Sequence, residues 1–299
     1  KRRTPKAWLK RYFRVLLGGT IVFLMILFSM FGPLLSEYDP YKTDMSVAMQ
    51  GPSEEHWFGT DDYGRDYFTR LAYGGRTTII IAVTAQVLTV LSGTTCGLLC
   101  GYYKRFDAVC MRIMEAIHSL PSMLTVMIVA SLIGQGFGSV LVALVMGGIV
   151  GITRNIRGQV LHLRNLEFIE AEKAMGASAP RTIFMHILPQ TLNYLVIRFS
   201  TGLSSCVLTT ASLSYLGIGL SPEIPNWGGM ISQGQGVMLI YPNLVVWPGI
   251  AIILLVFGFS AMALGGLLIQ LGINSEAREI MERSDTFMRE GAIKSPVSI

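Results

Sequence analysis

The stretch EAEKAMGASAPRTIFMHILP, Glu170 to Pro189, is polar and is punctuated by glycine and proline, although the chain around it is strongly apolar. The 299 residues are 51% hydrophobic and 14% charged, and the mean hydropathy is +0.51. Uncharged runs of the length found here cannot all be buried in one soluble core. The sequence therefore predicts a membrane protein in which this stretch lies outside the bilayer.

Long gaps between charged residues indicate where the chain crosses the membrane. A spanning helix needs about 20 mostly apolar residues. Gaps of at least that length cover residues 15–36, 77–103, 116–153, 199–222 and 224–275. We interpret the third gap as two short spans broken at 134–138, and the apolar part of the last as 245–271. The prediction is an all-α polytopic membrane protein with six transmembrane helices.

The distribution of lysine and arginine predicts the orientation. Residues 1–14 hold seven basic side chains and no acidic one, whereas residues 36–75 hold eight acidic and three basic ones. Both termini are therefore expected in the cytoplasm. The first helix lacks a small-residue cleavage site after it and is expected to be a retained anchor.

These assignments divide the chain into five parts. They are a cytoplasmic basic N-terminus (1–14), a first transmembrane helix (15–35), an extracytoplasmic loop (36–75), a transmembrane core (76–272) that includes a cytoplasmic loop (154–190), and a cytoplasmic tail (273–299).

Several kinds of chemistry have no support in the sequence. The chain has no Gly-Lys pair and thus no GxxxxGK[ST] phosphate loop, and HExxH and GxSxG are also missing. The four histidines are isolated, and the four cysteines have no CxxC spacing. Basic residues are not interleaved with aromatic ones on one exposed face. We predict no catalytic residues, no metal site, no cofactor bound by this chain and no nucleic-acid partner.

The predicted spans lack carboxylates at mid-depth, which ion-coupled carriers usually need. Arg198 is expected near a helix end, where its head group reaches the interface. If the chain is a transporter, its energy is expected to come from another protein.

A stripe of small residues marks the second span. Gly93, Gly97 and Gly101 recur every four residues, so one face of the helix lets another helix backbone approach closely. This pattern predicts helix packing and contains no information on a substrate.

The outer loop contains WFGTDDYGRD, residues 57–66. Glycines 59 and 64 permit turns, Thr60 or Asp61 can cap the following helix, and Arg65 can bridge to nearby carboxylates. A stabilised loop and a functional motif are both compatible with these residues.

Residues 165–189, called the helix pair below, contain start and stop signals for two short helices. Asn165 is the expected N-cap of the first helix and Gly176 its left-handed end. Ser178 is expected to cap the second helix and Pro189 to end it. Apolar side chains at 183, 184, 187 and 188 are expected to share one face. An amphipathic connector lying on the inner membrane surface remains an alternative.

Three motifs in this sequence resemble one family of transporters. EAEKAMG (170–176) followed by ILP (187–189) is similar to the EAA-G-LP cytoplasmic loop of permease subunits of ABC importers. GTDDYGRD (59–66) and SYLGIGLSPEIPNWG (214–228) resemble the dipeptide, oligopeptide and nickel permease family, specifically its second, C-type subunit. The motifs occur in the expected order, and the resemblance extends from about residue 15 to 260.

The resemblance implies a type I ABC importer permease fold in the bacterial plasma (inner) membrane, and it implies roles for individual residues. The helix pair is implied to couple to an ATPase through Glu170, Ala171, Glu172, Gly176, Ala177, Leu188 and Pro189. The outer motif is matched by Gly59, Thr60, Asp61, Gly64, Arg65 and Asp66. Two departures are visible. Glu172 replaces the second alanine of EAA and is expected to change a contact at the docking face, and residues 259–272 replace the usual ending of the last helix.

The implied partners are a second homologous permease, two ABC ATPases that bind ATP and magnesium, an extracytoplasmic substrate-binding protein and membrane lipid. The implied function is to form half of the path for di- or oligopeptides. Alternatives are a nickel or metal-chelate importer subunit of the same family, an autonomous ion-coupled carrier and a non-transporting membrane scaffold.

Overall fold

The chain folds into α-helices joined by loops and short helical turns. The computed structural model describes the backbone of residues 5–293 and the side chains of residues 12–172 and 174–271. Within the described backbone, β pairing is limited to one isolated bridge in the outer loop. The α-helices described are α1 (Pro5–Phe31), α2 (Tyr67–Tyr102), α3 (Lys104–Ile117), α4 (Ser122–Ile133), α5 (Phe137–Leu163), α6 (Glu167–Ala174), α7 (Ala179–Arg181), α8 (Leu188–Tyr215), α9 (Trp227–Gly234) and α10 (Asn243–Ile293). The all-α prediction is confirmed, while the first four residues of the predicted N-terminus and residues 294–299 of the predicted tail lie outside the described chain.

The structure does not confirm the count of six spans. Four described segments are long and apolar enough to cross a membrane: Tyr12–Leu35, Tyr67–Tyr102, Phe137–Leu163 and Asn243–Leu271. Helices α3 and α4 form a pair bent by 86°, and counting it as one broken span gives at most five. Helix α8 has 28 residues, but Arg198 and several serine, threonine and amide side chains lower its hydropathy. For this reason α8 is not among the segments that are apolar enough to be counted as spans.

The glycine stripe of α2 lies against α5. A Cβ atom added to Gly97 would lie 2.7 Å from the Cβ atom of Ile156, and one added to Gly101 would lie 2.4 Å from that of Val160. Gly93 meets Ile152 in the same way, at 2.8 Å. The absence of side chains therefore brings the two backbones close enough for branched residues of α5 to fill the groove.

The segments expected on the outer side meet at one end of the helix bundle. The Trp227 indole donates to the Leu71 carbonyl (2.9 Å), and the Asn243 amide donates to the Phe58 carbonyl (3.1 Å). At the opposite end, the helix pair packs into a separate apolar cluster with the ends of α2 and α5. Segments predicted to lie on opposite sides of the membrane are thus at opposite ends of the bundle. Asp66 caps α2, so residues 67–75, which the sequence assigns to the outer loop, form the first turns of this helix.

The helix pair is jointed at Gly176, although its ends differ from those predicted. Helix α6 begins at Glu167, directly after Leu166, whose carbonyl accepts the amides of residues 169 and 170, so Asn165 is not its N-cap. Gly176 has φ of +88°, and the Ala177 amide bonds to the Glu172 carbonyl, which closes the helix in a Schellman motif. Ser178 precedes α7, but its side chain makes no capping hydrogen bond.

Pro189 does not end the second helix. Residues 182–187 form a π-helical turn that connects α7 directly to α8, and the Leu188 amide bonds five residues back, to the Ile183 carbonyl. The wider turn leaves room for the proline ring, which would clash with an ordinary helical turn before it. One continuous helical path therefore leads from Ala179 to Tyr215.

Candidate functional sites

The inner side of the helix pair belongs to the core. Ile169 of α6 and Ile187 of the π-helical turn are fully buried, and Ile183 is nearly so. They pack in one cluster with Leu98 of α2 and Val160 of α5. Movement of the helix pair as a body would therefore press on the ends of two long helices.

The other side of the helix pair exposes large apolar side chains. Phe168 is 46% exposed, Met175 82%, and Phe184 and Met185 62% each. The expectation that Phe184 shares a face with Ile183 is wrong, because Phe184 is exposed whereas Ile183 is buried. Exposed apolar groups outside the apolar spans are typical of a surface that another protein or the membrane surface covers.

The residues assigned to ATPase coupling by resemblance fall in different environments. Glu170, Ala171 and Gly176 are exposed, and Ala177 is half-buried. Leu188 is half-buried and Pro189 exposed, in the first turn of α8. Glu170, Ala171 and Gly176 therefore lie together on α6 and its C-terminal end. Leu188 and Pro189 lie apart from them, at the start of α8.

Glu172 faces the inside of the helix pair. Its side chain is buried, and its carboxylate lies 3.1 Å from the Nε2 atom of His186. The two groups are within ion-pair distance, but the carboxylate oxygens receive no hydrogen bond of good geometry. The contact expected at the docking face is thus made within the chain, to His186, and a role of Glu172 in ATPase docking stays a prediction.

The acidic and basic residues of the outer motif are bonded to one another. Asp61 is buried and accepts hydrogen bonds from the Arg65 side chain (2.7 Å) and from the backbone amides of Tyr63 and Arg65. The Arg70 guanidinium lies 3.3 Å from the same carboxylate and also donates to the Pro40 carbonyl. Buried charges of this kind need such partners, so Asp61 holds together distant parts of the loop.

The other half of the motif anchors the loop to α2. Asp66 accepts hydrogen bonds from the amide and the hydroxyl of Thr69, and its second oxygen contacts His56 at 2.9 Å. Thr60 bonds to backbone groups of residues 47 and 50. Gly59 and Gly64 have φ of +80° and +69°, and a Cβ atom at Gly64 would lie 1.7 Å from the Asp44 carbonyl oxygen. The motif residues are mostly buried, which favours the interpretation as a stabilised loop over direct substrate contact.

A cavity of about 380 Å³ lies among α2, α4, α5 and α8. Its lining mixes glycine and apolar side chains with the polar groups of Gln86, Thr89, Arg198, Thr201 and Ser205. The expected position of Arg198 near a helix end is wrong, because α8 begins at Leu188, ten residues earlier. Spans that are assigned from the gaps between charged residues always have a charged residue at each boundary. Such an assignment therefore places Arg198 at the end of a span, although it lies inside α8.

Comparison with known proteins places this geometry in a family. A family model described as the inner membrane component of binding-protein-dependent transport systems matches residues 93–271. A second model, the N-terminal transmembrane domain of oligopeptide transport permease C, matches residues 9–52. The chain belongs to this family of ABC importer permeases. It is a membrane permease subunit with the type I fold, located in the inner membrane.

Individual relatives support the same assignment over most of the chain. A dipeptide transport system permease of Alkalihalophilus pseudofirmus is 36% identical over 86% of this chain and 85% of its own length. An oligopeptide transport system permease of Bacillus subtilis is 35% identical over 84% and 82%. A glutathione transport system permease of Pectobacterium atrosepticum is 34% identical over 88% and 89%.

The larger family match contains the helix pair of this permease and the cavity lining except Gln86 and Thr89 of α2. It also extends through residue 271 and therefore includes most of the 259–272 region that departs from the expected ending. The outer motif at 59–66 falls between the two family matches.

Proposed function

We propose that this permease subunit forms half of the translocation path of an ATP-driven importer for short peptides. A second homologous permease completes the path, two ABC ATPases drive it, and an extracytoplasmic binding protein delivers the substrate. The substrate class rests on the relatives, two of which are named for peptide transport and one for glutathione transport.

The observation that carries the coupling role is the division of the helix pair into two faces. The buried face is anchored in the same cluster as α2 and α5, while the other presents Phe168, Met175, Phe184 and Met185. A partner that covers these side chains would bury apolar area on binding, and this burial would stabilise its complex with the helix pair. An ATPase cleft is the partner that the family suggests.

The mechanism we propose is mechanical. ATP-driven closure of the ATPases shifts the helix pair, and the continuous path from α7 through the π-helical turn into α8 carries the shift towards the cavity. Packed cores pass such displacements on because they have few voids. The Schellman joint at Gly176 sets the angle between α6 and α7, so its backbone conformation is part of the proposed transmission.

The coupling role is tested by variants of the exposed face in proteoliposomes that contain the complete importer. Phe184→Ser and Met175→Ser are each expected to weaken ATPase recruitment and to lower ATP-driven uptake at least about tenfold, the loss typical of an apolar anchor in an interface. Leu239→Ser is the matched control for recruitment, because Leu239 is 93% exposed on the opposite side of the permease.

Two further variants test the joint and the charge on this segment. Gly176→Val places a β-branched residue at φ of +88° and is expected to disturb the joint. Glu170→Lys reverses an exposed charge in α6. Normal ATPase recruitment together with full ATP-driven uptake in both variants would show that the helix pair is not the coupling element.

The alternative functions are separated by leaving out components. An ion-coupled carrier would transport with this chain alone under an ion gradient, and a scaffold would transport in no combination. A nickel or metal-chelate importer would require the full set, as a peptide importer does, but would accumulate the metal rather than the peptide. Uptake of peptide only with ATP and the full set supports the proposal.

A further inference from the structure

Arg198 lies inside α8, away from both of its ends, and lines the cavity. It is about 15 Å along the axis from the first residue of α8 and about 26 Å from the last, at 1.5 Å per residue. It lines the cavity with Gln86, Thr201 and Ser205. An arginine this far from both ends of α8 cannot reach either end with its side chain, so its interactions lie within the bundle or the cavity.

The positive charge of Arg198 has no negative partner among the described side chains. Its Nε atom donates to the Tyr194 hydroxyl at 2.6 Å, and the guanidinium lies 5.6 Å from the centre of the Tyr194 ring. The ion pairs found elsewhere in the described residues do not involve it. Tyr194 therefore orients the group and leaves its charge uncompensated. A cation left without a counter-ion inside a membrane protein is costly, which favours a functional role.

The surrounding residues are built to hold this part of α8 in place. The Gln86 side chain of α2 donates to the Arg198 carbonyl (3.3 Å) and accepts the Cys206 thiol (3.7 Å). It fits only because residue 202 is glycine, since a Cβ atom there would lie 2.1 Å from the Gln86 amide nitrogen. The backbone that carries Arg198 is thus fixed against α2, while the guanidinium borders open space.

We propose that Arg198 binds the carboxylate of the peptide as it passes through the cavity. This inference rests on the proposed function, because a peptide always brings a C-terminal carboxylate. A guanidinium offers several N–H donors that match the two oxygens of a carboxylate. The hydroxyls of Thr201 and Ser205 supply weaker polar contacts around it. Arg198 is thus a specificity-determining residue of the transport path, and Tyr194 is its positioning residue.

The test compares a peptide that has a free C-terminus with the same peptide amidated, in proteoliposomes with the complete importer and saturating binding protein. Arg198→Gln is expected to lower uptake of the free-acid peptide about tenfold or more and to leave uptake of the amidated peptide unchanged. Arg198→Lys is expected to keep much of the free-acid uptake, and Arg198→Glu to lower it further. Tyr194→Phe is expected to cause a smaller loss with the same preference.

Arg112→Gln serves as the matched control, because Arg112 is exposed on α3 and does not line the cavity. The inference is overturned if Arg198→Gln transports the free-acid peptide like the unchanged permease. It is also overturned if every Arg198 variant, including Arg198→Lys, loses both uptake and binding-protein-stimulated ATP hydrolysis. That result would indicate that Arg198 has a structural role or pairs with a carboxylate of the second permease. Failure of the unchanged permease to import either peptide would instead refute the proposed function.

Discussion

Two residues, Gly97 and Asp61, show how the absence or the presence of one side chain determines local structure in this permease. Gly97 lets α5 approach α2 because it lacks a side chain. Asp61 fixes the outer loop because one carboxylate serves two arginines and two backbone amides. Both effects are local, and both can be tested by one substitution.

Gly97→Leu is expected to lower the stability of the permease by about 1–3 kcal/mol, the usual cost of forcing a larger side chain into a packed interface. The added atoms would collide with Ile156, whose Cβ lies 2.7 Å from the position of the new Cβ atom. Thermal unfolding of the purified permease in detergent measures the effect. Gly158→Ala in α5 is the control, because no atom lies within 4 Å of its added Cβ, and it is expected to be neutral or slightly stabilising. Equal unfolding temperatures for Gly97→Leu and the unchanged permease would contradict the packing described here.

Asp61→Asn is expected to destabilise the outer loop strongly, by about 3–5 kcal/mol, because it leaves the buried Arg65 and Arg70 without their shared counter-ion. Limited proteolysis of the loop, with thermal unfolding beside it, provides the measurement. A loop as resistant to protease in Asp61→Asn as in the unchanged permease would rule out Asp61 as its centre.

Asp62→Asn is the matched control for Asp61→Asn. Burial, followed by the neighbouring Asp61 carboxylate, raises the pKa of Asp62. Because the pKa is raised in the folded state, ionisation of Asp62 opposes folding as soon as the pH exceeds the ordinary pKa of an aspartate, and the penalty is complete above the raised pKa. Removal of the charge at neutral pH is therefore expected to be neutral or mildly stabilising, and the difference from the unchanged permease is expected to disappear as the pH falls below the ordinary pKa of an aspartate.

At the scale of helices, the sequence predicted the backbone correctly where a single residue determines its conformation. It did not predict features that depend on contacts between residues distant in the sequence. The stop at Gly176 could be predicted because a left-handed residue after a helix is a local requirement. The burial of Glu172 could not be predicted, because its partner His186 lies in the π-helical turn, beyond the joint at Gly176. The continuation of the helix through Pro189 depends on the π-helical turn before it, for which the sequence has no simple signal.

Glu172→Ala is expected to leave ATPase recruitment unchanged, because the side chain points into the helix pair and not towards the partner. The change in stability is expected to be small, about 0–1 kcal/mol, because His186 is partly exposed and solvent screens the pair. Co-purification of the permease with its ATPase measures recruitment, and Phe184→Ser gives the expected loss for comparison. If Glu172→Ala had normal stability but no longer co-purified with the ATPase, Glu172 would be part of the docking face after all.

At the scale of the whole molecule, composition was enough to predict a helical membrane protein, and the three ordered motifs were enough to predict its family. The number of spans was not predictable by the same means. The polar residues of α8 and the 86° bend between α3 and α4 are features that apolar length does not capture. Both features border the cavity, so the sequence was least informative where the substrate is proposed to pass.

The most direct test of ATP coupling through the helix pair is peptide uptake into proteoliposomes that contain the second permease, the ATPases and the binding protein, with either the unchanged permease or Phe184→Ser. We expect ATP-dependent uptake with the unchanged permease, none when the ATPases are omitted, and a loss of about tenfold or more with Phe184→Ser. Uptake that continues without ATPases under an ion gradient, or that is unaffected by Phe184→Ser, would contradict it.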